Sequence, residues 1–140
     1  MNLKIWIFVC LAAFALSCRI SPGEINYGKD QCSACKMIIS DSRFGAELVT
    51  KKGKIYKFDA IECMVPEVLE KGKDGYAFIL VTPFDRPGEL VNASEVEFLL
   101  SPDVPSPMGR FLSAHLDANR QNYSDAQWFG WPGLLKEFEE

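Results

Sequence analysis

The sequence predicts an α+β fold of two related strand-strand-helix halves with short, mostly antiparallel sheets. Three observations carry this. The chain has 140 residues, 48% apolar and 24% charged, which is ordinary usage for one globular domain and excludes disorder. Its apolar pattern changes period, from alternation along Ile55-Tyr56-Lys57-Phe58 to helical spacing at Ile61, Met64, Val65, Val68 and Leu69. Finally, Arg43 to Leu48 echoes Arg110 to Leu116, and Phe58-Asp59-Ala60 echoes Ser124-Asp125-Ala126, each ahead of a candidate helix. Tandem halves of this kind would leave a cleft between them.

Met37 to Ile39 is apolar and reads as a strand, and the chain turns at Asp41-Ser42-Arg43 before resuming as Phe44 to Val49. Lys51 to Lys54 contains a glycine and forms a hairpin turn into Ile55 to Phe58. Asp59 is placed to cap the helix that follows, and Gly72 to stop it. Pro66 falls in the opening turns. The dense apolar run Tyr76 to Val81, between Gly75 and Pro83, reads as a buried central strand. A short strand at Glu89 to Val91 and a bend at Asn92-Ala93-Ser94 lead into Glu95 to Leu100, which alternates or runs apolar. Three prolines make Ser101 to Pro107 an irregular loop, which Met108-Gly109 ends.

Residues 1–17 read as an export signal: Lys4, the apolar run Ile5 to Leu16, then small residues ahead of Cys18. The run is too short for a hydrocarbon core of about 30 Å, which needs roughly 20 helical residues. Ala15-Leu16-Ser17-Cys18 resembles the lipobox of bacterial lipoproteins, whose cysteine is lipidated, palmitate being one such acyl group, and becomes the new amino terminus. Ala15 stands where Leu is usual and Leu16 where a small residue is commoner. The alternative is ordinary cleavage nearby, with Cys18 left as a free thiol. Residues 18–31 hold Ser21, Pro22, Gly23 and Gly28 without periodicity, as a tether would, and 32–140 form the domain. The net charge is −4, and cleavage removes only Lys4 among the charges, so no basic patch arises and nucleic acid is set aside as a partner.

An exported chain meets an oxidising compartment, so Cys32, Cys35 and Cys63 must be read against disulfide formation, and three leaves one over. Cys32-Ser33-Ala34-Cys35-Lys36-Met37 carries the densest chemistry. Cysteines three apart can bring both sulfurs to one point, as in zinc sites, iron-sulfur proteins and thiol-disulfide exchangers. In an extended segment Cys35 and Met37 would project to the same side. Thiolate and thioether donors together select Cu(I), whereas structural zinc takes four Cys or His ligands. Met108, after the proline-rich loop, can supply a second thioether. The bland alternatives are a Cys32–Cys35 disulfide, a Met37 that only fills the core, a Cys63 buried on a helix face, and a packed His115. Cys63 and His115 stand as further candidate donors.

The order of these motifs resembles the nitrous oxide reductase accessory lipoproteins of the NosL type over nearly the whole mature chain. The shared landmarks are Cys18; Cys32, Cys35 and Met37; Ser40 to Leu48; the Lys52 to Asp59 hairpin; Cys63-Met64; and Pro107-Met108-Gly109 with Ala114 beyond. The resemblance implies a non-catalytic Cu(I) carrier, lipid-anchored in the cell envelope and facing the periplasm. It also implies a fold like the small domain of organomercury lyase. Its partner would be apo nitrous oxide reductase or another copper-accepting envelope protein. Carried over by position, the ligands would be Cys35, Met37 and Met108, with Cys32 beside them. Two departures stand out. Lys36 replaces the family's usual glycine, changing charge and backbone freedom, and His115 replaces an aromatic that often follows Ala114.

Two other readings compete. A thiol-disulfide oxidoreductase would use Cys32 and Cys35 at a helix amino end. A structural zinc site would use Cys32, Cys35, Cys63 and His115. Trp128, Phe129 and Trp131, close to Gly130 and Pro132, read as core plugs ahead of partner anchors.

Overall fold

Gly53 and Gly72 adopt positive φ (83° and 78°), and these two points punctuate the first half of the chain. Gly53 turns strand β1 (Ala46–Thr50) back into β2 (Ile55–Phe58), which pair antiparallel from Ala46↔Phe58 to Val49↔Ile55. Gly72 terminates helix α1 (Ile61–Lys71), its N–H donating to the Val68 carbonyl at 2.9 Å. The computed structural model describes residues 19–123 and 125–139. The export signal and Cys18 lie outside them.

β3 (Tyr76–Val81) runs along the other side of β1, and β4 (Val91–Asn92) completes a four-stranded antiparallel sheet of order β2-β1-β3-β4. The second sheet has the order β6-β5-β7, from β5 (Glu97–Leu100), β6 (Leu112–His115) and β7 (Gln127–Phe129), and is antiparallel throughout. Helix α2 (Trp131–Glu139) follows, with Pro132 in its first turn, where a missing N–H does least harm. The architecture is therefore a mixed α and β fold with two sheets and two helices. Each half carries strands and a helix, as the sequence predicts.

The first echoed pair falls on β1 and β6, and the second lies at the end of β2 and, for Asp125-Ala126, just ahead of β7; the pairing of these strands differs. β1 bonds directly to β2, whereas β5 separates β6 from β7. The second echo also does not lead straight into its helix, because β7 intervenes. The sheets meet where Pro83, just past β3, bridges to Ala114 and the Phe84 N–H donates to the Ala114 carbonyl at 2.7 Å. Between them one core joins Leu48, Phe58, Ile61, Met64, Val65 and Val81 to Phe98, Leu112, Ala114 and Leu134. α1 therefore packs against both halves.

Three local expectations change. Met37 to Ile39 is not a strand: only Ile38 bridges, to Gln31, and Met37 and Ile38 are exposed while Ile39 is buried. Asp59 does not cap α1, since Ala60 occupies that position with no side-chain bond. The segment expected as a tether is packed from Gly23 onward. The Gly23 N–H donates to Glu47 Oε1 at 2.8 Å, Ile25 is buried, and the Tyr27 hydroxyl lies 3.3 Å from Thr82 Oγ1. That cover explains why β1, flanked by strands on both sides, also buries Glu47.

Candidate metal centre

Residues 28–39 fold back on themselves, with the Ile39 N–H donating to Asp30 O at 2.9 Å and Gly28 N–H to Ile39 O at 2.8 Å. At the tip the Cys32 N–H donates to Met37 O (2.8 Å) and the Lys36 N–H to Cys32 O (3.1 Å). Closing so tight a loop takes one left-handed residue, and that residue is Lys36, at φ 65°. Lys36 thus holds a backbone conformation that glycine adopts more freely. Its Nζ donates to Ser33 O at 2.6 Å. Because Lys36 is not extended, the same-side argument for Cys35 and Met37 does not apply.

This knuckle docks on the edge of β2. The Ser33 N–H donates to Lys57 O at 2.7 Å, and the Lys57 N–H to Ser33 Oγ at 3.2 Å. Lys57 also pairs with Asp30 at 2.6 Å. A few residues past Lys57 the chain enters α1, so the same docking sets Cys63, in the first turn of the helix, against the knuckle. The Sγ atoms of Cys32, Cys35 and Cys63 all lie within 4.8 Å of one another. All three are free thiols; Cys32 and Cys63 are buried and Cys35 is half-buried.

The electrostatics split the buried pair. Cys32 is held well below the ordinary thiol range, chiefly because the Cys63 thiol donates to it, aided by backbone N–H groups of Asp59, Cys35 and Ala34 against the penalty of burial. Cys63 is pushed up by the same bond and by burial. Two carboxyls stand alongside. Asp59 is raised by burial and by the charge of Cys32, and its Oδ1 has no hydrogen-bond partner. Glu62 is raised by burial, with its bond to the Ser106 hydroxyl opposing, and its Oε2 is likewise without a partner.

The other candidate donors are placed differently. Met37 follows the knuckle directly and is 46% exposed; Met108, 40% exposed, sits in a turn whose Ser106 bonds to Glu62, the residue before Cys63. His115 is not part of the cluster. It is buried in β6 with its Nε2 2.9 Å from Ser113 Oγ, and its ring packs among Phe84, Tyr123 and Trp128 at 5.4–5.9 Å. Burial lowers its pKa, with Asp85 opposing. An imidazole here extends an aromatic cluster. Cys63, read from sequence as a small buried hydrophobe, is the donor the sequence argument undervalued. The signal available was the odd thiol count together with a helix starting so soon after β2.

Three sulfurs about 2.3 Å from one ion would lie roughly 4 Å apart in a trigonal arrangement, so the observed cluster needs only small adjustment to hold one. A set of thiols without a fourth protein donor from His, Asp or Glu among the described residues suits soft ions of low coordination number better than a closed tetrahedral cage. Cys32, the more acidic thiol, is only 1% exposed, so half-buried Cys35 is the member of the pair that faces an incoming disulfide or ligand.

Fold and site together define a small mixed α and β domain with a three-thiol cluster able to coordinate a metal. No protein-family model matches the chain, and no curated protein matches it in sequence. Among solved structures it is similar to the copper chaperone NosL from Shewanella denitrificans, with a TM-score of 0.68 and 16% sequence identity, covering 81% of this chain and 95% of that one. That likeness shows the fold. No helix among the described residues is long and apolar enough to cross a membrane.

Proposed function

We propose that this protein is a Cu(I) carrier of the cell envelope, anchored through a lipid on Cys18 and facing the periplasm. It receives the ion, holds it on Cys32, Cys35 and Cys63, and passes it by ligand exchange to a copper-accepting envelope protein, of which apo nitrous oxide reductase is the first candidate. Met37 and Met108 serve as outer thioethers that accept or release the ion without a proton. The observation that carries this reading is the convergence of three thiols from two separated segments. The ion is cargo, and an open sulfur-only set lets a partner's ligand enter before the last donor leaves. The similarity in fold to a copper chaperone supports the same reading.

The test is an anaerobic titration with Cu(I) against a competing chelator. The reading expects one tightly held ion per chain, weakened by Cys35→Ser and further by adding Met37→Leu. Binding equal to that of the double variant would overturn it. Tightly held zinc at one equivalent after reducing purification would replace copper as the cargo.

A further inference from the structure

The net charge of −4 conceals a local excess of the opposite sign. Lys51, Lys52 and Lys54, all exposed, occupy the turn between β1 and β2. That turn lies beside the turn Lys73–Gly75, because Thr50 pairs with Tyr76 and the Lys51 N–H donates to Gly75 O at 3.3 Å. Lys71, the last residue of α1, reaches the same place: its Nζ and that of Lys54 lie 5.2 and 4.7 Å from the ring centre of Tyr56. Five lysines therefore share one end of the four-stranded sheet. Lys71 pairs with Glu67 at 2.8 Å, and Glu70 and Asp74 are close in the chain. Lys51, Lys52, Lys54 and Lys73 enter no ion pair among the described residues.

The amino-terminal segment enters the domain from this end. Gly23 lies against Glu47 and Ile55, its N–H bonded to Glu47 Oε1 at 2.8 Å, while Ile25 and Tyr27 lie against Gly45. From Gly23 to Tyr27 the chain thus runs opposite to β1, and its upstream residues come from the side of the Lys51–Lys54 turn. Exposed Arg19 adds a cation there. From Cys18 to Gly23 a fully extended chain spans at most about 17 Å. The thiol cluster is at the other end. Ser33 of the knuckle docks on Lys57, past the start of β2 at Ile55, and Cys63 precedes Lys71 by eight residues of α1, about 12 Å along the helix.

We propose that the lysine-bearing end is a docking surface for anionic phospholipid headgroups, which holds the anchored domain with its thiol cluster directed away from the bilayer. This rests on the lipid-anchor reading above. The attraction of lysines to a negatively charged bilayer fades within about 8 Å at physiological salt, so it acts only on groups already carried to the surface. The short span from Cys18 carries this end there. The acyl chain anchors the domain, the lysines orient it, and half-buried Cys35 is left on the side open to a partner.

The test is NMR of the isotope-labelled, lipidated mature protein in nanodiscs that carry a gadolinium-chelating lipid, which broadens amide signals close to the headgroups. With phosphatidylcholine and phosphatidylglycerol in equal parts, the signals of residues 51–54 and 73–75 are expected to be lost while those of 32–35 and 61–63 remain. With phosphatidylcholine alone, at high salt, or in a variant combining Lys51→Gln, Lys52→Gln, Lys54→Gln and Lys73→Gln, that selective loss should disappear. The variant's own amide spectrum reports that it is folded, and the salt and lipid arms need no substitution. The proposal is overturned if the signals of 32–35 and 61–63 are lost first. It is also overturned if the pattern is the same in both lipids and in the variant, since the span from Cys18 alone would then set it. Mass spectrometry of the same preparation separates the failures. An acyl group on Cys18 with no selective loss removes only the docking surface, whereas an unmodified Cys18 removes the lipid-anchor reading and this surface with it.

Discussion

The Cys63 thiol, in the first turn of α1, donates to the Cys32 sulfur at the tip of the knuckle. That bond lowers the Cys32 thiol and raises the Cys63 thiol, so of this pair Cys32 gives up its proton first.

A thiolate absorbance titration of the reduced protein should show this directly. One thiolate should appear well below the ordinary thiol value of about 8.5, and another thiol should stay protonated above it. Cys63→Ala removes the donor and should return the low step toward the ordinary range. Stability follows by linkage. The share due to Cys32 is complete above the unfolded thiol pKa and is lost as pH falls through the lowered folded value. The share due to Cys63 is present below the unfolded value and is lost on the alkaline side. Three protons leaving together near about 8.5 would contradict the arrangement.

Lys36 carries the left-handed backbone of the knuckle. A β-branched residue there should be worse than lysine, so Lys36→Val is expected to destabilise by about 1–2 kcal/mol. Lys36→Gly relieves the strain but frees the unfolded chain and removes the bond to Ser33 O; it should leave stability within about 1 kcal/mol of the parent. Urea unfolding of the three proteins gives the ranking, and equal midpoints would mean that the turn opens in solution.

His115→Phe tests whether the imidazole is an aromatic packing element. Burial lowers the His115 pKa, so the unfolded chain takes up its proton first. The parent's stability from this residue is complete above about 6.5 and declines as pH falls toward the folded value. Phenylalanine has no such dependence but leaves Ser113 Oγ without its partner, a cost of about 1 kcal/mol at every pH. The variant should be the weaker protein at pH above about 7, with the gap narrowing on acidification. Buried Glu47, Glu62 and Asp59, all raised by burial, are present in both proteins and cancel in the difference. A gap constant with pH would contradict the account.

Much of this was legible in the chain itself. Helical spacing from Ile61 with Gly72 behind it marks α1, Gly53 between alternating segments marks the first hairpin, and the Tyr76 to Val81 run marks β3. Periodicity is a local signal, and these elements are locally specified. The sulfur cluster is not. Cys63 reaches Cys32 because Ser33 pairs with Lys57 along the β2 edge, a contact between segments that no window of sequence contains. The packed run from Gly23 to Tyr27 escaped for the same reason: its partners, Glu47 and Thr82, are on distant strands. The positive φ at Lys36 answers the question of backbone freedom that the sequence resemblance raises at that position.

The most direct test of the central claim is X-ray absorption at the copper edge on the protein loaded anaerobically with one equivalent of Cu(I). The account predicts an all-sulfur shell that loses scatterers in each of Cys32→Ser, Cys35→Ser and Cys63→Ser. A shell with a nitrogen donor from His115, or one unaltered by all three substitutions, would contradict it.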